Sequence, residues 1–217
     1  MRLRKRADTP AKMEQFSAFY LINEAQQHKG KWAAVFGNDH PVQLEIGCGK
    51  GQFILGLAEL NPHINYVAME LQEEVIAQAL KKATLNEYPN LRFVRENANC
   101  VDDLFDIGEI DRLYLNFSDP WPKTRHNKRR LTYRDYLKQY SHILKEGGWL
   151  HFKTDNLHFF EFSLNEFADL GLTMTNISLD LHRQPVEGDI RTEYEEKFSA
   201  LGFKINRVEV SLDVLRG

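Results

Sequence analysis

Glu45, Glu70, Asn97, Asp119 and Asp155 each stand in or just past a short apolar run, and Gly47, Gly49 and Gly51 follow the first of them at two-residue intervals. Carboxylates so placed can accept hydrogen bonds from the hydroxyl or ammonium groups of a ligand, and bare glycine backbone lets that ligand come close. Glu45 falls two residues before the first glycine, where its charge would repel a pyrophosphate and favour a ligand with an ammonium group. The dinucleotide-binding turn wants its third glycine one place later, where Gln52 stands, so the spacing argues against a nicotinamide cofactor. Glu70 lies 21 residues beyond Gly49, where an acid closing the second strand accepts both hydroxyls of a ribose. The plain alternatives are a tight strand-to-helix turn at the glycines, an exposed acid opening a helix at Glu70 and a turn-forming amide at Asn97.

A second concentration of chemistry runs from Asp119 to Arg130. In Asp119-Pro120-Trp121-Pro122-Lys123 two prolines fix their backbone angles and remove two donors, which presents Asp119 and Trp121 rigidly after a fourth strand. Ligands of open α/β sheets bind at that carboxyl edge. Thr124, Arg125, His126, Asn127, Lys128, Arg129 and Arg130 continue as a mobile basic loop, so the whole stretch reads as a phosphate-lined approach to a base pocket. Trp121, held between prolines, packs the corner in preference to stacking on a base. Asp155 ends a fifth strand at the same edge as Asp119 and serves equally well as the N-cap of the next helix. Thr192-Glu193-Tyr194-Glu195 fits a capping box.

Periodicity supplies the elements that must hold these groups. Leu44 and Ile46 suit a buried strand; Phe53, Ile54, Leu57 and Ala58 suit a helix ending at Asn61-Pro62. Further strands are expected over 65–71, 91–95, 111–118, 149–154, 173–181 and 203–212, the last antiparallel to its neighbour. Helices are expected from Val75 to near Tyr88-Pro89, over 133–145 with Gly147-Gly148 as the stop, over 157–170, and from Thr192 onward. Strands alternating with helices give a doubly wound, Rossmann-like α/β fold, a seven-stranded and mostly parallel sheet with helices on both faces. Ahead of it a helix over 11–28, capped by Asp8 or Thr9, precedes an irregular stretch over 32–40. The organisation expected is a basic extension with a capping helix over 1–40 and a single ligand-binding domain over 41–217.

Composition narrows the class. No apolar stretch approaches the roughly 20 residues that cross a bilayer, and Met1–Arg6 is not followed by the apolar segment of a secretory signal, so a soluble, cytoplasmic protein without membrane contact is expected. Cys48 and Cys100 lack metal-like spacing and the eight histidines form no ligand run, so neither a disulfide nor a metal is expected. The net charge is −3, with +4 on Met1–Arg6 and +5 on Lys123–Arg130, which leaves −12 on the rest. Basic charge concentrated on an acidic body orients a polyanion. Monomer and homodimer stay equally open.

Glu45 to Gly51 resembles the first motif of the class I S-adenosylmethionine-dependent methyltransferases, acidic-x-Gly-x-Gly-x-Gly, whose cofactor carries an ammonium group. In the resembled fold Glu45, Gly47, Gly49, Gly51, Glu70 and Asp119 would hold S-adenosyl-L-methionine, and Asn97, in a place where Asp is frequent, would accept the adenine amino group. Phe117-Ser118-Asp119-Pro120-Trp121-Pro122-Lys123 and the basic residues after it resemble the signature of the bacterial tRNA (guanine-N7)-methyltransferases. The similarity covers nearly the whole chain, including Lys153-Thr154-Asp155-Asn156 and the run from Thr192 to Glu195. It implies methyl transfer to a guanine in the variable loop of tRNA. In that reading Asp119 is catalytic, orienting the base and stabilising the developing purine cation without any general base. Asp155, Lys123, Thr192, Glu193, Tyr194 and Glu195 would touch the substrate, and Thr124, Arg125, His126, Asn127, Lys128 and Arg129 the RNA. Residue types alone also admit another RNA position, a small-molecule acceptor or a non-catalytic RNA-binding module. The second has no use for the basic loop, and the third none for Glu45, Glu70 and Asn97 at three successive strand ends.

Overall fold

The computed structural model describes residues 21–183 and 190–216. Most of the expected helix over 11–28, its cap at Asp8 or Thr9, the basic tail and much of the loop before Arg191 lie outside the described residues.

Seven strands form one sheet: β1 (Val42–Ile46), β2 (Asn65–Met69), β3 (Leu91–Val94), β4 (Ile110–Asn116), β5 (Leu144–Thr154), β6 (Thr173–Ser178) and β7 (Asn206–Ser211). Their order is β3-β2-β1-β4-β5-β7-β6. The first five run parallel, and β7 lies antiparallel between β5 and β6. Helices α1 (Trp32–Phe36), α2 (Gln52–Leu60), α3 (Glu73–Ala83), α4 (Val101–Leu104), α5 (Arg134–Ile143), α6 (Leu157–Asp169) and α7 (Glu193–Ala200) complete the described fold. The order reverses between β1 and β4, which opens a crevice at their carboxyl ends.

Helices cover both faces because successive strand residues point to opposite sides. Val67 and Met69 of β2 join Leu44, Ile46, Leu113, Leu115, Leu150 and Phe152 against α5 and α6, whereas Tyr66 and Ala68 join Phe93 against Ile54, Ala58, Ile76, Ala79 and Leu80 of α2 and α3. The doubly wound sheet and its antiparallel last strand match the expectation.

Several boundaries differ. The stretch expected to be irregular contains α1, whose fully buried Trp32 stacks 5.2 Å from Phe105 and donates from its indole to Leu104 O at 3.0 Å. The free amide of Trp32 finds Glu109 at 3.1 Å, a cap supplied from a loop far along the chain. Gly147-Gly148 does not stop α5; that helix ends at Ile143 and the glycines lie inside β5. A Cβ on Gly148 would come within 2.8 Å of Lys145 O and 3.1 Å of Asp111 O, where the β4–β5 register shifts. The glycine therefore permits a close backbone approach at a bulge. Helix α3 ends at Ala83, short of Tyr88-Pro89, and both β6 and β7 are shorter than expected.

Candidate active site

The glycine turn divides its labour. Gly47, Gly49 and Gly51 all have positive φ, at 79°, 58° and 84°. A Cβ on either of the first two would meet nothing within 4 Å, so their backbone is open to a ligand. A Cβ on Gly51 would lie 2.9 Å from Ala79 Cβ; this glycine packs α2 against α3 and does not border the cavity that Gly47 and Gly49 line. The amides of Gly47 and Cys48 donate to Met69 O at 2.8 and 3.0 Å, which fixes the turn to β2.

A cavity of about 900 Å³ opens where β1 to β4 end. Glu45, Gly47, Gly49, Glu70, Asn97, Asp119, Thr192, Glu193 and Tyr194 all border it. Glu45 is 1% exposed, and Asn116 Nδ2 donates to its Oε1 at 2.8 Å. Its Oε2 is buried without a hydrogen-bond partner among the described residues. Burial raises the Glu45 carboxyl to about 8, against the pull of the Asn116 hydrogen bond and the Lys153 cation. A buried acceptor lacking a donor fits an ammonium group, and with it S-adenosyl-L-methionine. Glu70 accepts from Gly49 N at 3.1 Å on one oxygen and from Gln72 N at 2.9 Å on the other, and burial raises its carboxyl too. Each oxygen keeps a lone pair for a hydroxyl donor. Asn97 accepts from Asn99 N at 2.9 Å, so it is the turn former as well as a cavity residue. Burial pushes the Cys48 thiol well up, which removes it as a thiolate nucleophile.

The proline corner is strained as well as rigid. Phe117 and Trp121 have φ of 53° and 42°, and bulky residues in that region cost about 1–3 kcal/mol each. Asp119 is exposed on the corner and borders the cavity together with Trp121 and Arg129. Trp121 meets His126 edge-on at 5.7 Å and carries the Arg129 guanidinium 4.9 Å from its ring. The expected mobile loop is wound into a 3-10 helix over Thr124–Arg129. From it Arg129 reaches the cavity, while Lys123, Thr124, Arg125, His126, Asn127 and Lys128 do not border it.

Residues 39–208 match the profile of the family described as "Putative methyltransferase". The tRNA (guanine-N(7)-)-methyltransferase of Geobacillus sp. (strain WCH70) is 52% identical over 212 residues, 97% of this chain and 95% of the relative. That of Bacillus subtilis (strain 168) is 53% identical over 194 residues, 89% of this chain and 91% of the relative. The chain belongs to the tRNA (guanine-N(7)-)-methyltransferase family. Its fold is shared more widely: an antibiotic-related methyltransferase structure, 18% identical, superposes with a TM-score of 0.61 over 87% of this chain and 94% of the other.

The far wall of the site in this family member comes from α7. Thr192 caps it, accepting from Glu195 N at 2.9 Å. The reciprocal half of the capping box is missing, because the Glu195 carboxylate turns into the core and pairs with Lys153 at 2.9 Å; His182 Nε2 lies 3.2 Å from its other oxygen without a hydrogen bond between them. Glu195 is fully buried and does not border the cavity, so the structure does not bring it together with Thr192, Glu193 and Tyr194, the other expected substrate contacts of this run. Glu193 pairs with Lys82 of α3 beside the cavity. Asp155 is not the N-cap of α6, since Asn156 accepts from Phe159 N at 2.8 Å. Instead Asp155 accepts from the Tyr194 hydroxyl at 3.2 Å and stands behind the wall, not on it. Burial first, and Asp155 second, push that phenol up to about 12, so it stays a donor.

Sequence reasoning assigned no role to Asn116 or Lys153. Both lie on the polar side of strands otherwise read by their apolar residues; the pairing of β1 with β4 brings Asn116 to Glu45, and the packing of α7 against β5 brings Lys153 to Glu195. Arg130, grouped with the basic loop, is buried.

Proposed function

We propose that this chain transfers the methyl group of S-adenosyl-L-methionine to N7 of a guanine in the variable loop of tRNA, with Asp119 as the catalytic residue. The observation that carries the reading is the meeting of Glu45, Glu70 and Asp119 around one cavity into which Arg129 of the basic helix also reaches. The cofactor, when bound, supplies a methyl group made electrophilic by a sulfonium. Glu45 Oε2 would accept from its ammonium group, Glu70 from its ribose hydroxyls, and the exposed backbone of Gly47 and Gly49 would let it approach.

Guanine N7 presents a lone pair and no proton, so no residue has to act as a base. Positive charge grows on the purine as the new bond forms. Asp119 accepts from the donor edge of the base, and its charge favours that cationic transition state over the neutral ground state. Tyr194, oriented by Asp155, closes the opposite side. Lys123, Arg125, Lys128 and Arg129 hold phosphates and so place the variable loop.

The test is Asp119→Ala with unmodified tRNA as substrate, followed by nucleoside mass spectrometry of the digested product and mapping of the modified position. Turnover should fall by roughly 10²–10³-fold, while calorimetry shows cofactor affinity within a few fold of wild type. Near-wild-type turnover in this variant overturns the role of Asp119, and a methyl group found outside the variable loop overturns the site.

A further inference from the structure

Arg130 is the last residue of the basic run, yet only 8% exposed. Its Nε donates to Pro120 O at 2.8 Å and its terminal nitrogen to Trp121 O at 3.1 Å. The same guanidinium lies 4.2 Å from the centroid of the Phe162 ring and 5.8 Å from that of Phe159, both on α6. Its backbone is fixed as well, since Arg130 N donates to Asn127 O at 3.0 Å and Arg130 O accepts from Tyr133 N at 2.9 Å at the start of α5. This cation faces two carbonyl dipoles and two ring faces, not RNA.

The need for it lies in the corner. Trp121 has φ of 42°, which a bulky residue does not adopt unaided, and the following Pro122 restricts its backbone further. In this conformation the carbonyls of Pro120 and Trp121 converge on the same space, where their dipoles repel unless one donor group bridges them. A planar fork meets that requirement with donors fixed on two separate nitrogens, one for each carbonyl, whereas a lysine carries all its donors on a single atom of a shorter side chain. Asp119 immediately precedes the two carbonyls so held.

The geometry points to Arg130 as a positioning residue of the reaction: its guanidinium clamps the Pro120 and Trp121 carbonyls to α6 and thereby sets the direction in which Asp119 enters the cavity. The inference rests on Asp119 acting as proposed above. Arg130 acts through backbone and touches neither base nor cofactor.

Arg130→Lys keeps the charge and most of the volume but loses the fork, so it is the decisive variant; Arg130→Met removes both donors. Each is labelled with 5-fluorotryptophan, which reports on Trp32, Trp121 and Trp149 by fluorine NMR, and each is assayed for kcat, KM for tRNA and cofactor Kd beside Asp119→Ala. For Arg130→Lys kcat should fall about 100-fold with cofactor Kd changed by less than about threefold, as expected when a reacting group is misplaced by an ångström. Only the Trp121 resonance should move, and Arg130→Met should repeat the pattern more severely. A wild-type Trp121 resonance in Arg130→Lys sinks the clamp whatever Asp119 does, as does unchanged kcat in that variant while Asp119→Ala is inactive. Movement of all three resonances in Arg130→Lys also sinks it, because the residue would then support the whole fold. Should Asp119→Ala keep its turnover, the assignment of Asp119 falls, and a displaced Trp121 resonance would still report the clamp.

Discussion

The two faces of the central strands are built on opposite principles. On one side of β1, β4, β5 and β7, Leu44, Ile46, Leu113, Leu115, Leu150, Phe152, Val208 and Val210 form a continuous apolar layer, each at most 3% exposed. On the other, the same strands carry Gln43, Glu45, Tyr114, Asn116, His151, Lys153, Arg207 and Glu209. This second layer is wired, not packed. Tyr114 donates to Gln43 at 2.8 Å, Asn116 to Glu45 at 2.8 Å and Lys153 to Glu195 at 2.9 Å, and Arg207 pairs with Glu209. The apolar side fixes where the strands lie. The polar side decides which groups face the cavity at their ends, and it accepts the desolvation of charges to do so.

If that division is right, damage on the two sides should read out differently. The largest loss of stability should come from Phe152→Ala, since Phe152 is fully buried between Phe159 at 5.2 Å and Phe160 at 6.0 Å. Urea unfolding should show a cost of about 3–5 kcal/mol, with cofactor Kd of the folded fraction unchanged. A loss below about 1 kcal/mol would mean that this layer is not what fixes the strands.

Lys153→Met tests the boundary of the comparison from the polar side. The Lys153 and Glu195 side chains are 6% and 0% exposed, so removing the cation leaves a carboxylate buried beside little but His182. Breaking such a pair costs about 3–5 kcal/mol, whereas replacing both partners with apolar residues is often close to neutral. Lys153→Met should therefore approach the Phe152 variant in unfolding free energy, and Lys153→Met with Glu195→Leu should recover much of the loss. No recovery in the double variant would show that the pair contributes more than mutual neutralisation, through contacts such as the one from Lys153 to Ile190 O at 3.2 Å.

The apolar layer was legible in the sequence and the polar one mostly was not. Alternation in Leu113, Leu115 and Phe117 announces β4, and the rigid Asp119 corner follows directly from two prolines. Asn116 and Lys153 sit at the positions that alternation marks as outward, and nothing local says that outward here means a buried partner on another element, β1 for Asn116 and α7 for Lys153. Lys153 and Glu195 are 42 residues apart. Arg130 was misread for a related reason: five cations in eight residues look alike until the fold shows that one of them faces Phe162. Glu45 and the glycines were readable because their spacing is itself the signal, although Gly51 turned out to serve helix packing.

Glu45→Gln sharpens the comparison, because here function and stability should move in opposite directions. A neutral amide loses the charge-assisted bond to an ammonium group, worth about 1.5–3 kcal/mol, so cofactor should bind roughly 10- to 100-fold more weakly. Stability should not fall, since the variant no longer buries an ionisable acid whose proton is held up to about 8. The native contribution of that proton is complete below the ordinary value of 4.5 and is lost as the pH rises through about 8.

The smallest effect is the most diagnostic. Below about 8 the free enzyme holds Glu45 as the neutral acid, raised first by burial and further by Glu193 and Glu70 against Asn116 and Lys153. An arriving ammonium group requires the carboxylate, so association must release that proton. Affinity of the wild type for S-adenosyl-L-methionine should then rise with pH by at most about tenfold per unit up to about 8, above which the ligand's own α-ammonium group gives up its proton and the gain ends. Calorimetry in two buffers of different ionisation enthalpy counts the proton directly: close to one released near neutral pH in the wild type, none from this position in Glu45→Gln. An affinity independent of pH, with no proton released, would mean that Glu45 is already ionised in the free cavity, and that Asn116 and Lys153 overcome the burial of its carboxylate.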